Sequence, residues 1–564
     1  MSMARGPQVN GRPRVGAATG SRDVIVVGGG HNGLACATYL ARAGLDVLVL
    51  ERADQVGGAA VTDEPWPGYH VSTAAYVVSL VPPKIVAELD LARHGYEVTI
   101  LAPDYYVPAV DGTSLTLWGD ARRTAAEIAR FNAHDAEAYL EFDASLARFG
   151  EMLHELMFVV PPNLHLRELA KWGALATRLR KWSGRDIADL VRLFTISAAD
   201  LLDEWFDDDR VKGALGTQAI LGAWTGPMCP GSAYVLVHHW FGEIDGQPGA
   251  WGAVKGGMSG ISNAMAAAAR AAGVEIRTGV EVERVVVSGE RATGVELADG
   301  TLLHATRVVS NAHPTTTYLD LVGEAHLPDD VIRDIRRYRS RSGSVKVNFA
   351  LSELPRPTAW TGPLPGDPHT GIMAISPSIE YLERAWDDAK YGRASAAPYV
   401  EMVFPTALDP TLAPDGRHLA LCFTQFAPAD LTAEQWDAQR DDYGRRVTRL
   451  LDEHCPGFAD SVEHIEVLGP RDLEDRYGLI GGSISHGDMS PDQMFSLRPI
   501  PGYGDYRTPI KGLYLCGAGT HPGGGVMGVA GRNCASVVTK EARSPVANTW
   551  ARTGARVRRT RGER

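Results

Sequence analysis

Six cysteines in 564 residues are too few and too scattered for a disulfide framework. Cys36, Cys229, Cys422, Cys455, Cys516 and Cys534 form no C-x-x-C pair and no metal-type spacing, so neither a dithiol relay nor a cysteine metal site is expected. The natural reading is six reduced thiols, most of them in the core. No metal site is expected. Also missing is any run of about 20 apolar residues, the length needed to span a bilayer. Positive charge is short: 56 Lys and Arg stand against 68 Asp and Glu, for a net charge of −12. That balance argues against a nucleic-acid partner. The first residues lack an apolar h-region, so no secretory signal is read there. Residues 1–22 carry Arg5, Arg12, Arg14 and Arg22 without an acid and are expected to form a disordered tail.

What is present is ordinary for a large globular chain: 45% apolar and 22% charged residues. The length allows roughly two to four domains. The 61 glycines are informative by position. Asp23-Val24-Ile25-Val26-Val27 is a β-branched run that fits a buried parallel strand. Gly28-Gly29-Gly30-His31-Asn32-Gly33 follows at once and matches G-x-G-x-x-G. Leu34, Ala37, Leu40 and Ala41 then recur at helical spacing up to Gly44. Asp46 to Leu50 is a second strand, closed by Glu51, 23 residues after Gly28. Strand, loop, helix, strand and acid in register define a dinucleotide fold. The helix N-terminus offers free N–H groups to the phosphates. Glu51 would accept from the ribose hydroxyls, which favours FAD or NAD over NADP. Arg52 and the Gly57-Gly58-Ala59 turn extend the pattern as an FAD loop would.

A second glycine-rich block lies near the other end. The strand Gly512 to Cys516 runs into five glycines in nine residues, from Gly517 to Gly525. Val526, Met527 and Gly528 follow, then a helical run through Ala530 and Cys534. Such density between strand and helix indicates backbone packed against a flat or phosphate-like group. Val274 to Ala312 reads as a small antiparallel layer that returns to the parallel sheet. Only one G-x-G-x-x-G comes with its two strands and ribose acid, so NAD(P)H lacks an evident site of its own.

Asp23 to Gly58, Lys255-Gly256-Gly257-Met258, Gly481 to Gly487, Asp492-Gln493, Arg498-Pro499 and Leu515 to Asn533 together resemble the FAD-dependent phytoene-dehydrogenase-like family of carotenoid and retinoid oxidoreductases, relatives of the flavin amine oxidases. Within it the likeness is to a branch named for a pyridine nucleotide-disulfide oxidoreductase domain. The redox disulfide of that name has no counterpart here. The resemblance implies an α/β fold: a doubly wound, three-layer, Rossmann-like FAD domain (23–124, 251–339 and 471–543), interrupted by an α+β substrate domain (125–250 and 340–470). Disordered tails at 1–22 and 544–564 flank it. It implies FAD as cofactor, held by Gly28, Gly30, His31, Asn32, Gly33, Glu51, Arg52, Gly57, Gly58, Ala59, Gly517, Gly519, Gly525, Val526 and Met527, with Val282 beside the adenine.

The activity implied is hydride transfer between a C–C bond of an apolar small molecule and the flavin. Oxygen, a quinone or another carrier would accept the electrons, and the sequence does not choose among them. A flavin amine oxidase is the rival enzyme, and it would need an aromatic cage. An FAD-stabilised binding protein with a respiratory-chain partner is the non-enzymatic reading. His486 is the preferred catalytic residue, ahead of His521 and the His238-His239 pair; Asp492, Gln493 and Arg498 line the pocket or tie its loop. Arg167, Lys171, Arg178, Arg180, Lys181 and Arg185, interleaved with Trp172 and Trp182, form a solvated face or a peripheral membrane contact. A cytoplasmic location is expected, with the mitochondrial matrix as the alternative in a eukaryote.

Overall fold

The computed structural model describes residues 21–164 and 168–543. The predicted tails, apart from Ser21 and Arg22, lie outside those residues, as does Arg167 of the basic run. Arg22 is not tail. It opens strand β1 (Arg22–Val27) and pairs with Asp46 at 2.8 Å and with Glu275.

The β-branched run after Arg22 packs with its last four residues buried. Helix α1 (His31–Arg42) follows and presents Leu34, Ala37 and Leu40 to the core. Strand β2 (Val47–Leu50) returns parallel to β1, with Val26 opposite Val49. Glu275–Arg277 adds to the free edge of β2. On the other side β1 pairs with Leu302–Ser310, and that strand pairs with Leu513–Leu515. The central strand does double duty. Its first residues close an antiparallel meander with Val282–Ser288 and Arg291–Leu297, while Val308 to Ser310 lie in the parallel sheet.

A second sheet has seven strands, in the order Val462–Leu468, Ser344–Leu351, His418–Gln425, Tyr399–Val403, Ile372–Ile375, Tyr105–Pro108 and Ser114–Leu117. The predicted segment 23–124 therefore supplies strands to both sheets. The reason is the strand pairing of Tyr105 with Ile372 across the segment boundary. From Ala121 to Phe241 the described chain is helical, led by Ala133–Met157, whose Asn132 cap accepts from Asp135 N at 3.2 Å.

The basic run forms helices Leu169–Leu179 and Gly184–Leu193. Three of its cations are paired: Lys171 with Glu168, Lys181 with Glu151 and Glu155, and Arg185 with Asp189. Among the described residues no helix is long and apolar enough to cross a membrane.

Candidate active site between the two sheets

A cavity of about 810 Å³ runs between the sheets. One end is made of backbone. Gly28 N donates to Leu50 O at 2.8 Å, and Gly57 N donates to Gly29 O at 3.0 Å, which draws the two glycine turns together. Gly28 has φ +97° and Gly57 φ +128°, values that L side chains avoid. Gly33 serves packing. A Cβ there would sit 2.2 Å from Gly28 O. Glu51 is 8% exposed and accepts from Gly29 N at 2.7 Å and Ala53 N at 2.9 Å. Helix α1 starts at Gly30 without a side-chain cap, so its first amides are left for a ligand. Asn311, reached from Val27 O by its own N–H at 2.8 Å, backs this loop.

Gly28, Gly30, His31, Asn32, Glu51, Gly57, Gly58 and Ala59 all line the cavity, with the exposed Arg52 at its rim and Val282 on the wall formed by Val280 to Glu283. From the distant block, Ala518, Gly524, Gly525 and Val526 reach it. Gly517, Gly519 and Met527 do not line it. Gly517 packs on Asn311 O and Gly519 on Pro314, where a Cβ would come within 2.6 and 2.3 Å. Met527 is buried. His31 hydrogen-bonds the backbone of Gly525 and so joins the two glycine-rich loops; burial pushes its imidazole down to about 4.

The histidines separate by role. His486 lines the cavity, and its Nδ1 has no hydrogen-bond partner among the described residues. Burial, with help from His31 and Arg498, pushes it down to about 4, so it is a neutral imidazole at pH 7. His313 lies 5.6 Å away, ring to ring. His238 and His239 also line the cavity, and burial holds both neutral at pH 7. His521 does not; its Nε2 meets Leu156 O at 2.9 Å. Asp492, Gln493 and Arg498 tie the loop. Asp492 pairs with Arg339, Gln493 brackets the Arg339 backbone, and Arg498 donates to Ser485 O and Ala518 O at 2.6 and 3.0 Å.

The other end of the cavity was missed in the sequence. Ser344, Lys346, Glu401, Phe423 and Tyr76 line it. Tyr105 and Tyr399 donate to Glu401 Oε2 at 3.2 and 2.7 Å, and Tyr76 donates to Oε1. Burial raises the Glu401 carboxyl against these three phenols and Lys346, which oppose it. Lys346 is 2% exposed, and burial pushes its ammonium down to about 7. Its Nζ stands 3.8 Å over the Tyr76 ring. The one available signal was a lone charge inside each of two otherwise buried strands, Ser-Val-Lys-Val-Asn-Phe and Tyr-Val-Glu-Met-Val.

The uncapped helix start, the buried acid and the side-chain-free turns fit a dinucleotide. The chain belongs to the flavin containing amine oxidoreductase family, whose model matches residues 33–538. It is an FAD-dependent oxidoreductase. Among relatives, "Pyridine nucleotide-disulfide oxidoreductase domain-containing protein 2" of Rattus norvegicus is 38% identical over 92% of this chain and 93% of its own length. A lycopene-forming phytoene desaturase of Pseudescherichia vulneris is 27% identical over 90% and 96%. A triple mutant of putrescine oxidase shares the fold with a TM-score of 0.57, at 19% identity over 93% of this chain and 99% of that one.

Proposed function

We propose that the protein dehydrogenates, or in reverse saturates, a C–C bond of an apolar small molecule, in the manner of phytoene desaturases and retinol saturases. The observation that carries this reading is the apolar stretch of cavity wall, with Val78, Leu80, Leu221, Val235, Trp251 and Ile484, continuous with the dinucleotide cradle. FAD, when bound, supplies the acceptor for the hydride that leaves a substrate carbon. Glu51 would hold its ribose, the first amides of α1 its pyrophosphate and the strand edge at Val282 its adenine. The hydrophobic wall excludes water and fixes the chain of the substrate. We assign the second hydrogen, lost as a proton, to His486, whose neutral ring lines the cavity and can accept it at its unprotonated nitrogen.

An amine substrate fits less well. At the sheet end of the cavity the chain's own Lys346 already stands over the Tyr76 ring, which sets a cation against an incoming ammonium there. With a single dinucleotide fold in the sequence, oxygen or a quinone is the acceptor this reading favours over NAD(P). Anaerobic flavin bleaching against polyenes, retinoids, fatty acyl compounds and amines tests it. Polyenes or retinoids are expected to bleach the flavin and amines to leave it oxidised; bleaching by amines alone overturns the reading. His486→Ala is expected to slow bleaching by about 10²-fold or more, and an unchanged rate removes its role.

A further inference from the structure

The second glycine-rich loop has no regular structure of its own. Residues 516–528 form no helix or strand, and glycine gives up more backbone freedom on ordering than any other residue. The loop is fixed instead through its carbonyls. Gly517 O accepts from Thr520 N at 3.0 Å, within the loop. Ala518 O accepts from Arg498 Nη2 at 3.0 Å, and His521 O accepts from Tyr506 Oη at 2.7 Å. Two more are taken by histidines: His238 hydrogen-bonds the Gly524 backbone, and His31 that of Gly525. Both bonds favour the protonated ring, so the imidazole N–H donates and the glycine carbonyl accepts.

The two histidines come from different parts of the chain. His31 is the first residue of α1, at the phosphate turn. His238 is the last residue of helix Ser232–His238, whose Tyr234 and Val235 line the cavity. His31, His238, Gly524, Gly525 and Val526 line it too. The loop is pressed against its neighbours there: a Cβ at Gly524 would lie 2.3 Å from Ser485 Oγ, and one at Gly525 2.5 Å from Leu80 Cδ1. A trans peptide points its N–H opposite to its C=O, and the loop's cis bond lies outside this stretch, at His521–Pro522. Holding the Gly524 carbonyl therefore sets the direction of the Gly525 N–H, and holding the Gly525 carbonyl sets that of the Val526 N–H. Neither N–H donates to a backbone carbonyl among the described residues. Helix Val529–Ala542 begins just beyond and adds its positive end. Burial pushes both imidazoles down to about 4, so both are neutral at pH 7. They act on the loop by hydrogen bonding and bring no charge of their own.

We propose that His31 and His238 are positioning residues for bound FAD: by fixing two glycine carbonyls they hold the Gly525 and Val526 amides toward the flavin and so raise its reduction potential. Donors held at the ring favour the form with the more negative charge, which is the reduced one. The inference depends on FAD in the cavity and not on which molecule it oxidises.

The potential of the bound flavin tests it, with no substrate present. FAD-loaded wild-type protein is titrated anaerobically with dithionite against reference dyes, beside free FAD in the same buffer. The bound flavin is expected to lie above free FAD. His31→Leu and His238→Leu are each expected to lower it by about 30 mV, which is a tenfold loss of preference for the reduced cofactor in a two-electron couple. His31→Gln and His238→Gln keep a neutral N–H donor and are expected to recover at least half of that drop. A wild-type potential at or below that of free FAD overturns the inference. So does an unchanged potential in both leucine variants, even beside a lower melting temperature, because a merely structural role moves the second and not the first. Equal drops in the leucine and glutamine variants overturn it as well. The wild-type comparison needs no variant, so a substitution that folds poorly or loses FAD leaves the inference open to refutation.

Discussion

The two ends of the cavity are built by different means. At the dinucleotide end the work falls to backbone: turns at Gly28 and Gly57, uncapped amides of α1, and one carboxylate, Glu51, held by two N–H groups. At the sheet end it falls to side chains, a lysine and a glutamate among phenols drawn from strands far apart in sequence. A backbone site is specific for a shape that many proteins share, so its motif is local and recurrent. A side-chain site is specific for one ligand and is assembled by strand register. The contrast predicts that damage to the first end removes the cofactor, while damage to the second alters charge and selectivity with the cofactor retained.

The largest effect is expected from Gly33→Val. Its Cβ would meet Gly28 O at 2.2 Å, a backbone atom that cannot move aside. Overpacking of this kind costs about 3 kcal/mol, and the purified variant should carry no FAD by its visible spectrum. Full FAD occupancy would break the comparison at its first term.

A smaller effect concerns pH and leaves FAD in place. The folded-state pKa of Lys346 lies at about 7, below its ordinary 10.5. Below pH 7 the buried charge weighs fully against the fold. Between about 7 and 10.5 the unfolded chain holds a proton that the folded chain sheds, so stability rises with pH by up to about 1.4 kcal/mol per unit. Lys346→Met lacks this gain, while Glu401, Glu466 and Tyr76 on its own side of the sheet and the Cys422 thiol on the reverse side remain. The melting temperature of wild type relative to Lys346→Met should therefore climb from pH 7 to pH 10. A flat difference would show that Lys346 is not charged against its surroundings. The smallest effect is expected from Tyr399→Phe, which removes one donor from Glu401. The loss of one buried hydrogen bond is worth about 1 kcal/mol; thermal unfolding should report it with FAD content unchanged.

The same contrast explains what could be read in the sequence. β1, α1 and β2 fall within a residue or two of their expected bounds, because a β-branched run, a glycine turn and a helical apolar spacing are local signals. The distant loop was legible from its glycines, yet Gly517 and Gly519 turned out to pack against Asn311 and Pro314 while Gly524, which had not been singled out as a ligand contact, reaches the cavity. Glycine density marks close approach without saying to what. Tyr105 pairs in the second sheet because Ile372 lies beside it, and no local pattern encodes that neighbour. Lys346 and Glu401 acquire meaning only through the Lys346–Phe423–Glu401 row.

The strand Leu302–Ser310 is flanked on one side by β1, made before it, and on the other by Leu513–Leu515, made about 200 residues after it. At translation speeds of about 5–20 residues per second, the edge of Val308 to Ser310 waits unpaired for a time on the order of tens of seconds. During that wait an apolar parallel edge, Val308-Val309-Ser310, stands open to any other strand. The loop that carries Gly524 and Gly525 arrives later still. Cofactor capture thus waits for the segment after Leu513: a chain cut before it would have a finished phosphate turn but lack the second glycine-rich loop of the cavity.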